Sequence, residues 1–326
     1  MASADGEVAA GHLARLAAAS LVAEARLTPK PGLVDRRTNG AHTDMDLATF
    51  LASAAALEPF LSAYAAAGFR LGADGADAAG LADEMRRIGI DAERAMFAAT
   101  GGVNTHKGAN FTFALILGAA GSLLSEGRGL PLSPADTDEI LDLVSRMGAC
   151  LLDHDVRELL ARSGGPGSGG GLTHGERIFL ESGIKGIRGE AALGYPRLRE
   201  LLLPYLRGRR SELACAPDAG DVLLRALVKL MAVLEDTNVV HRGGMGALAD
   251  HRAFCRALDE RDLPEDALVD ELIAYDGALI ARNVSPGGAA DLLSLGIFFG
   301  LLEGILSLDA LDYRRAWTFE GAPPAR

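Results

Sequence analysis

Ala289-Ala-Asp-Leu-Leu-Ser-Leu-Gly-Ile-Phe-Phe-Gly-Leu-Leu302 is apolar except for Asp291 and Ser294. It falls short of the roughly 20 apolar residues that cross a bilayer. A helix that is apolar all round is buried, so this run predicts a core helix, extending to about Leu306, or the face of a homodimer. No membrane span is expected here.

Outward from this run, the chain repeats helical spacing. Leu13, Leu16, Ser20 and Leu21 share one helix face. Leu47–Ala67 is a second helix, expected to kink or break at Pro59, which lacks an N–H donor. Leu81–Ala99 and Asn110–Glu126 follow. Ser133-Pro134 with Asp136 makes a strong helix start: a cap, a proline in the first turn, and an acid near the positive end of the dipole. That helix is expected to reach about Ser163. Further helices fit Arg197–Leu206, Val222–Leu234, Gly246–Glu260 and Pro264–Ala281. No stretch shows a strong period of two. The prediction is an all-α fold, a single compact multi-helix domain over residues 1–326, with glycine-rich loops forming one central site. Residues 164–171, Gly-Gly-Pro-Gly-Ser-Gly-Gly-Gly, are expected to be a flexible loop, and 308–326 an irregular tail.

Composition bounds the function. The chain has 326 residues, 49% hydrophobic but only 5% aromatic, which favours helices packed through small side chains. Its net charge of −12 argues against nucleic acid, which needs a basic face. Cys150, Cys215 and Cys255 are widely spaced and form no zinc framework; reduced thiols in the cytoplasm are expected. The first ten residues carry Asp5 and Glu7 and lack the basic region of a secretory signal. There is no Gly-x-x-x-x-Gly-Lys-[Ser/Thr] motif. The 164–171 run follows no strand, so it is not a dinucleotide fingerprint.

Only four lysines occur, and three fall in compact polar blocks, as Lys30, Lys107 and Lys185. All five asparagines lie in or beside such blocks. A lysine is a compact point charge suited to a phosphate oxygen in a tight site. Six blocks punctuate the helices: Lys30–Asp35 with Asn39–Asp46, Gly101–Gly108, Thr173–Arg177, Gly183–Glu190, Asp236–Gly244 and Ser285–Asp291. Each sets charged or amide side chains beside glycines near a helix end, where backbone can approach a ligand closely.

These blocks, in this order, resemble the triphosphoribosyl-dephospho-coenzyme A synthase family. The matching stretches are Leu27-Thr-Pro-Lys-Pro-Gly-Leu-Val-Asp35, Gly40-Ala-His-Thr-Asp-Met-Asp46, Gly101-Gly-Val-Asn-Thr-His-Lys-Gly108, Thr173-His-Gly-Glu-Arg177, Gly186-Ile-Arg-Gly-Glu-Ala191, Asp236-Thr-Asn238 with His241-Arg-Gly-Gly244, and Ser285-Pro-Gly-Gly-Ala-Ala-Asp291. The resemblance spans roughly residues 10 to 305. It implies a reaction in which ATP and 3′-dephospho-coenzyme A give 2′-(5″-triphosphoribosyl)-3′-dephospho-coenzyme A and adenine. It also implies that the product passes to a transferase acting on the acyl carrier subunit of malonate decarboxylase or citrate lyase; overall similarity leans to malonate decarboxylase.

On that reading a ribose hydroxyl attacks the anomeric carbon of ATP, through a transition state resembling an oxocarbenium ion. Lys30, Lys107, Arg177, Arg188 and Arg242 are the expected phosphate clamps, with Lys185 behind them. Asn104, Thr105 and Asn238 suit the ribose or base. Asp35, Asp236 and Asp291 are the expected Mg²⁺ ligands. Glu176, Glu190 and His106 are the candidates for proton transfer. A nucleotide N-glycosidic hydrolase and a non-catalytic nucleotide carrier remain as alternatives.

Overall fold

Every described element is a helix, a helical turn or a loop, as the missing period of two predicts. The computed structural model describes residues 4–163 and 183–313 of the chain. The helices are α1 (Ala4–Arg26), α2 (Leu47–Ala73), α3 (Ala78–Ala99), α4 (Lys107–Ser125), α5 (Pro134–Ser163), α6 (Gly186–Ala192), α7 (Leu203–Gly208), α8 (Arg210–Cys215), α9 (Gly220–Val233), α10 (Thr237–Glu260), α11 (Glu265–Ala281) and α12 (Gly287–Leu302). A π-helical turn, Leu198–Leu202, leads into α7, and a 3₁₀ turn, Asp309–Leu311, follows α12. The single helix expected over Arg197–Leu206 is therefore two geometries in series. The segment 164–171, and Glu176 and Arg177 with their block, lie outside the described residues.

Local chemistry starts these helices. Asp46 caps α2 by accepting from the Thr49 N–H at 2.8 Å, and the Thr49 hydroxyl reaches back to Asp46. The Asp77 carboxylate caps α3 through the Gly80 N–H at 2.8 Å. Ser133 and Asp136 bond reciprocally ahead of α5, as the sequence predicts. The expected break at Pro59 does not occur: α2 runs through it. Pro59 and Ala55, whose carbonyl loses its partner, are both exposed, so water can take that carbonyl, and α2 packs along α1, α3 and α4.

The apolar run that opened the sequence is the centre of the core. Twelve of the sixteen residues of α12 are buried, against α1, α4, α7, α9 and α10. It is core rather than a dimer face. α2 and α4 approach so closely that a Cβ on Gly68 would sit 2.1 Å from the Gly118 carbonyl oxygen, and one on Gly121 would sit 2.2 Å from that of Ala65. The small-residue composition thus becomes backbone-to-backbone packing. α1, α2 and α4 are long and apolar enough to cross a membrane by length and composition alone; in α4, 78% of the apolar window is already buried in the fold.

The start of the expected tail is ordered. The Ala219 N–H donates to the Ala310 carbonyl, and the buried Tyr313 hydroxyl donates to the Ala23 carbonyl. The cysteines are free thiols, Cys150 and Cys215 exposed and Cys255 buried.

Candidate active site

Five of the six polar blocks meet at one cleft of about 230 Å³. Its lining includes Lys30, His42, the run Asn104–Gly108, Gly186, Asp236, Asn238, Arg242, Ser285 and Asp291. These positions are up to 261 residues apart in the chain, so the fold rather than the local sequence assembles them.

One wall is the start of α4. The Asn104 side-chain Oδ1 accepts from the Lys107 N–H at 3.3 Å, and Lys107 Nζ bonds Glu93 Oε1 at 2.6 Å. The Thr105 hydroxyl donates to Ser53 Oγ at 2.7 Å, and His106 Nδ1 lies 2.7 Å from the same oxygen. Phe50 packs on the imidazole edge-on at 4.9 Å. Burial, helped by the nearby Lys30 charge, pushes the His106 pKa down to about 3, so the ring is neutral. His106 Nε2 is buried with no partner among the described residues. A buried nitrogen at a cleft without a protein partner is matched to a ligand or water.

The floor is acidic. Glu24, on the buried face of α1, forms a buried ion pair with Lys30. Lys30 therefore meets the cleft as half of a neutral pair. Asp291 is half-buried and lines the cleft; burial, then the charges of Glu24 and Asp236, hold its carboxyl well above the usual range. Asp236 caps α10, accepting from the Asn238 N–H at 2.9 Å, and also accepts from the Ala289 N–H at 3.1 Å. Burial outweighs those bonds and raises its pKa to about 6. Gly108 permits the approach of α4 to α12: a Cβ there would sit 2.0 Å from Asp291 Oδ2.

The rim joins three segments. Arg242 Nη1 donates to the Ala41 carbonyl at 2.6 Å and to Asn283 Oδ1 at 2.9 Å. Arg242 Nη2 contacts His42 Nδ1 at 3.1 Å, and His42 Nε2 contacts Ser285 Oγ at 3.0 Å. Two residues after Arg242, Gly244 takes φ 76°, ψ −179° and breaks the helical path of α10. A side chain there would be strained, so the turn that presents Arg242 depends on glycine.

Four sequence candidates stand apart from this lining. Asp35 accepts from the backbone N–H groups of Lys30, Arg37 and Thr38, at 2.9, 2.6 and 2.9 Å. It organises its own loop and is not placed as a metal ligand. Glu190 accepts from the Arg197 N–H at 3.4 Å and holds the turn after α6, with burial raising its pKa. Arg188 lies over the Phe111 ring at 4.9 Å. Lys185 is exposed beside the lining residue Gly186.

Glu24 and Ser53 belong to the site although no block contains them, while His42 and Ser285 lie in the blocks but carry no role in the sequence reading. Glu24 had a signal, since it continues the apolar face of α1 with an acid. Ser53 had none, as one serine in an alanine-rich helix. Among the described residues no group of three or more His, Cys, Asp or Glu side chains is arranged to hold a metal ion. Asp236 and Asp291 remain the carboxylates at the cleft.

The family model described as CitG, ATP:dephospho-CoA triphosphoribosyl transferase, matches residues 10–309. The chain is 42% identical over 299 residues, covering 90% of itself and 97% of each relative, to proteins named probable 2-(5″-triphosphoribosyl)-3′-dephosphocoenzyme-A synthase from Streptococcus mutans, Streptococcus equi subsp. equi and Streptococcus pyogenes serotype M49. No solved structure matches. The matching family and relatives make the chain a transferase. The chain belongs to the ATP:dephospho-CoA triphosphoribosyl transferase family.

Proposed function

We propose that this protein transfers the 5-triphosphoribosyl group of ATP to the ribose 2′-hydroxyl of 3′-dephospho-coenzyme A and releases adenine. The observation that carries this reading is the convergence of the blocks: Lys107 and Arg242 flank a cleft floored by two carboxyls, Asp236 and Asp291, that burial raises above the usual range.

Paired carboxyls tuned apart divide acid and base work. Asp291, whose carboxyl burial pushes well above the usual range, is the group to give a proton to the departing adenine nitrogen as the C1′–N9 bond breaks. Asp236, at about 6, is ionised near neutral pH and is the group to take the proton from the attacking hydroxyl as the new C1′–O bond forms. Its charge also faces the developing positive sugar. The two carboxyls then restore their starting states by exchange with solvent. This replaces Glu190 in the proton-transfer role, because Glu190 does not line the cleft.

Lys107 and Arg242 hold the triphosphate, and Asn104 and Asn238 orient ribose or base. A Mg²⁺ ion, which typically keeps waters and binds one or two carboxylates plus substrate phosphates, would be held by the triphosphate with the ionised Asp236; it would supply charge neutralisation. On the same reading, the product goes on to a transferase serving an acyl carrier subunit of malonate decarboxylase or citrate lyase.

The test is incubation of the purified protein with ATP, with and without 3′-dephospho-coenzyme A, following adenine by chromatography and product by mass spectrometry. Adenine released only with both substrates, with a product of the expected mass, supports the transfer. Adenine released equally from ATP alone makes the protein a hydrolase.

A further inference from the structure

We propose that Ser285 is a substrate-binding residue whose hydroxyl proton is aimed at a phosphoryl oxygen by a relay from Arg242 through His42. The inference rests on the reading of the cleft as a polyphosphate site and adds a residue and a mechanism of orientation to it.

The direction of the relay follows from donor chemistry. A guanidinium has no acceptor. The 3.1 Å contact from Arg242 Nη2 to His42 Nδ1 therefore makes Nδ1 the acceptor. A neutral imidazole that accepts at Nδ1 carries its proton on Nε2. That N–H then donates to Ser285 Oγ at 3.0 Å. Asp44 lies 3.8 Å from Nδ1 with its side chain 60% exposed, too far to compete with Arg242 for the nitrogen. Burial and the Arg242 charge both keep the ring neutral.

Ser285 is 3% exposed. Its oxygen is occupied as an acceptor, and its own proton has no acceptor among the described residues. Leaving a buried donor unmatched is costly, and Ser285 lines the cleft. The proton is thus presented to whatever fills the cleft. Arg242 is the cation beside it, which favours an anionic oxygen as the acceptor. Ser285, His42 and Arg242 come from three different blocks, so only the folded chain makes this donor.

The experiment uses inorganic tripolyphosphate as the probe, bound to the full-length protein and read by calorimetry. Ser285→Ala is expected to weaken binding about tenfold or more, as for a hydrogen bond to a charged group. Ser285→Thr, which keeps the hydroxyl, is expected to bind more tightly than Ser285→Ala. Nitrogen-15 NMR of the wild-type histidines, with His42→Gln used to assign the signal, should show His42 as the neutral Nε2–H tautomer at neutral pH. That measurement requires no Ser285 variant to fold. Wild-type tripolyphosphate affinity in Ser285→Ala would overturn the proposal. So would a His42 ring protonated on Nδ1. If the wild type binds tripolyphosphate through Ser285 but makes no product from ATP and dephospho-coenzyme A, the proposed transfer falls while this contact stands.

Discussion

Gly108 offers a perturbation whose size can be worked from the coordinates. In an ordinary helix, replacing glycine by alanine stabilises by up to about 1 kcal/mol. Here the added carbon would lie 2.0 Å from Asp291 Oδ2 and 3.0 Å from its Cγ. The first distance is about 1.5 Å inside an ordinary contact of about 3.5 Å. Asp291 must rotate away, or the first turn of α4, with Lys107 and His106, must back off. Overpacking of this kind costs about 1–3 kcal/mol. The net effect of Gly108→Ala is then a destabilisation of about 0–2 kcal/mol, with the protein still folded. Function should suffer more, because a displacement of about 1 Å at a reacting group costs about a hundredfold in rate. Denaturant unfolding and the rate of adenine release, measured on the same preparation, test both halves. A variant stabilised by about 1 kcal/mol with wild-type turnover would show that Asp291 has room to move and that its placement does not govern the chemistry.

Lys107→Ala should leave the unfolding midpoint nearly unchanged, since its partner Glu93 is a partly exposed pair worth about 0–1 kcal/mol. Turnover should drop about a hundredfold or more. Removing Glu24 should act on stability instead. Glu24→Ala strands the buried Lys30 ammonium, costing about 3–5 kcal/mol in denaturant unfolding, while Glu24→Gln with Lys30→Met should recover most of the loss. The Asp236 carboxyl sets a pH dependence. Its pKa rises from 3.8 to about 6 on folding, so the folded state holds this proton more tightly than the unfolded one. The stability it contributes is fully present below about pH 3.8 and lost as pH rises through about 6. Asp236→Asn should flatten that part of the stability-against-pH curve.

The helices were legible because their apolar spacing and their Ser, Asp and Pro starts agree with the final packing. The site was legible as a set of blocks, since His, Lys and Asn flanked by glycine between apolar helices have little reason to be there unless they meet something. What each side chain does there was less legible. Asp35 and Asp236 look alike in sequence. Only the fold shows that the first closes a loop through three backbone bonds, while the second, also bonded to backbone, meets the cleft. Lys30 reads as a free cation until Glu24 is found against it across the turn after α1. Pro59 reads as a break until its exposure shows that water can satisfy the freed carbonyl.

The glycine seam between α2 and α4 has a mechanical consequence. Two helices in backbone contact along Gly68, Gly118 and Gly121 leave no side-chain layer that could slide or repack. Ser53 and His106, one on each side of that contact, form a stationary jaw. On the opposite bank, Gly244 interrupts α10 two residues after Arg242. Amide hydrogen exchange should therefore be slowest along the seam and fastest around that interruption.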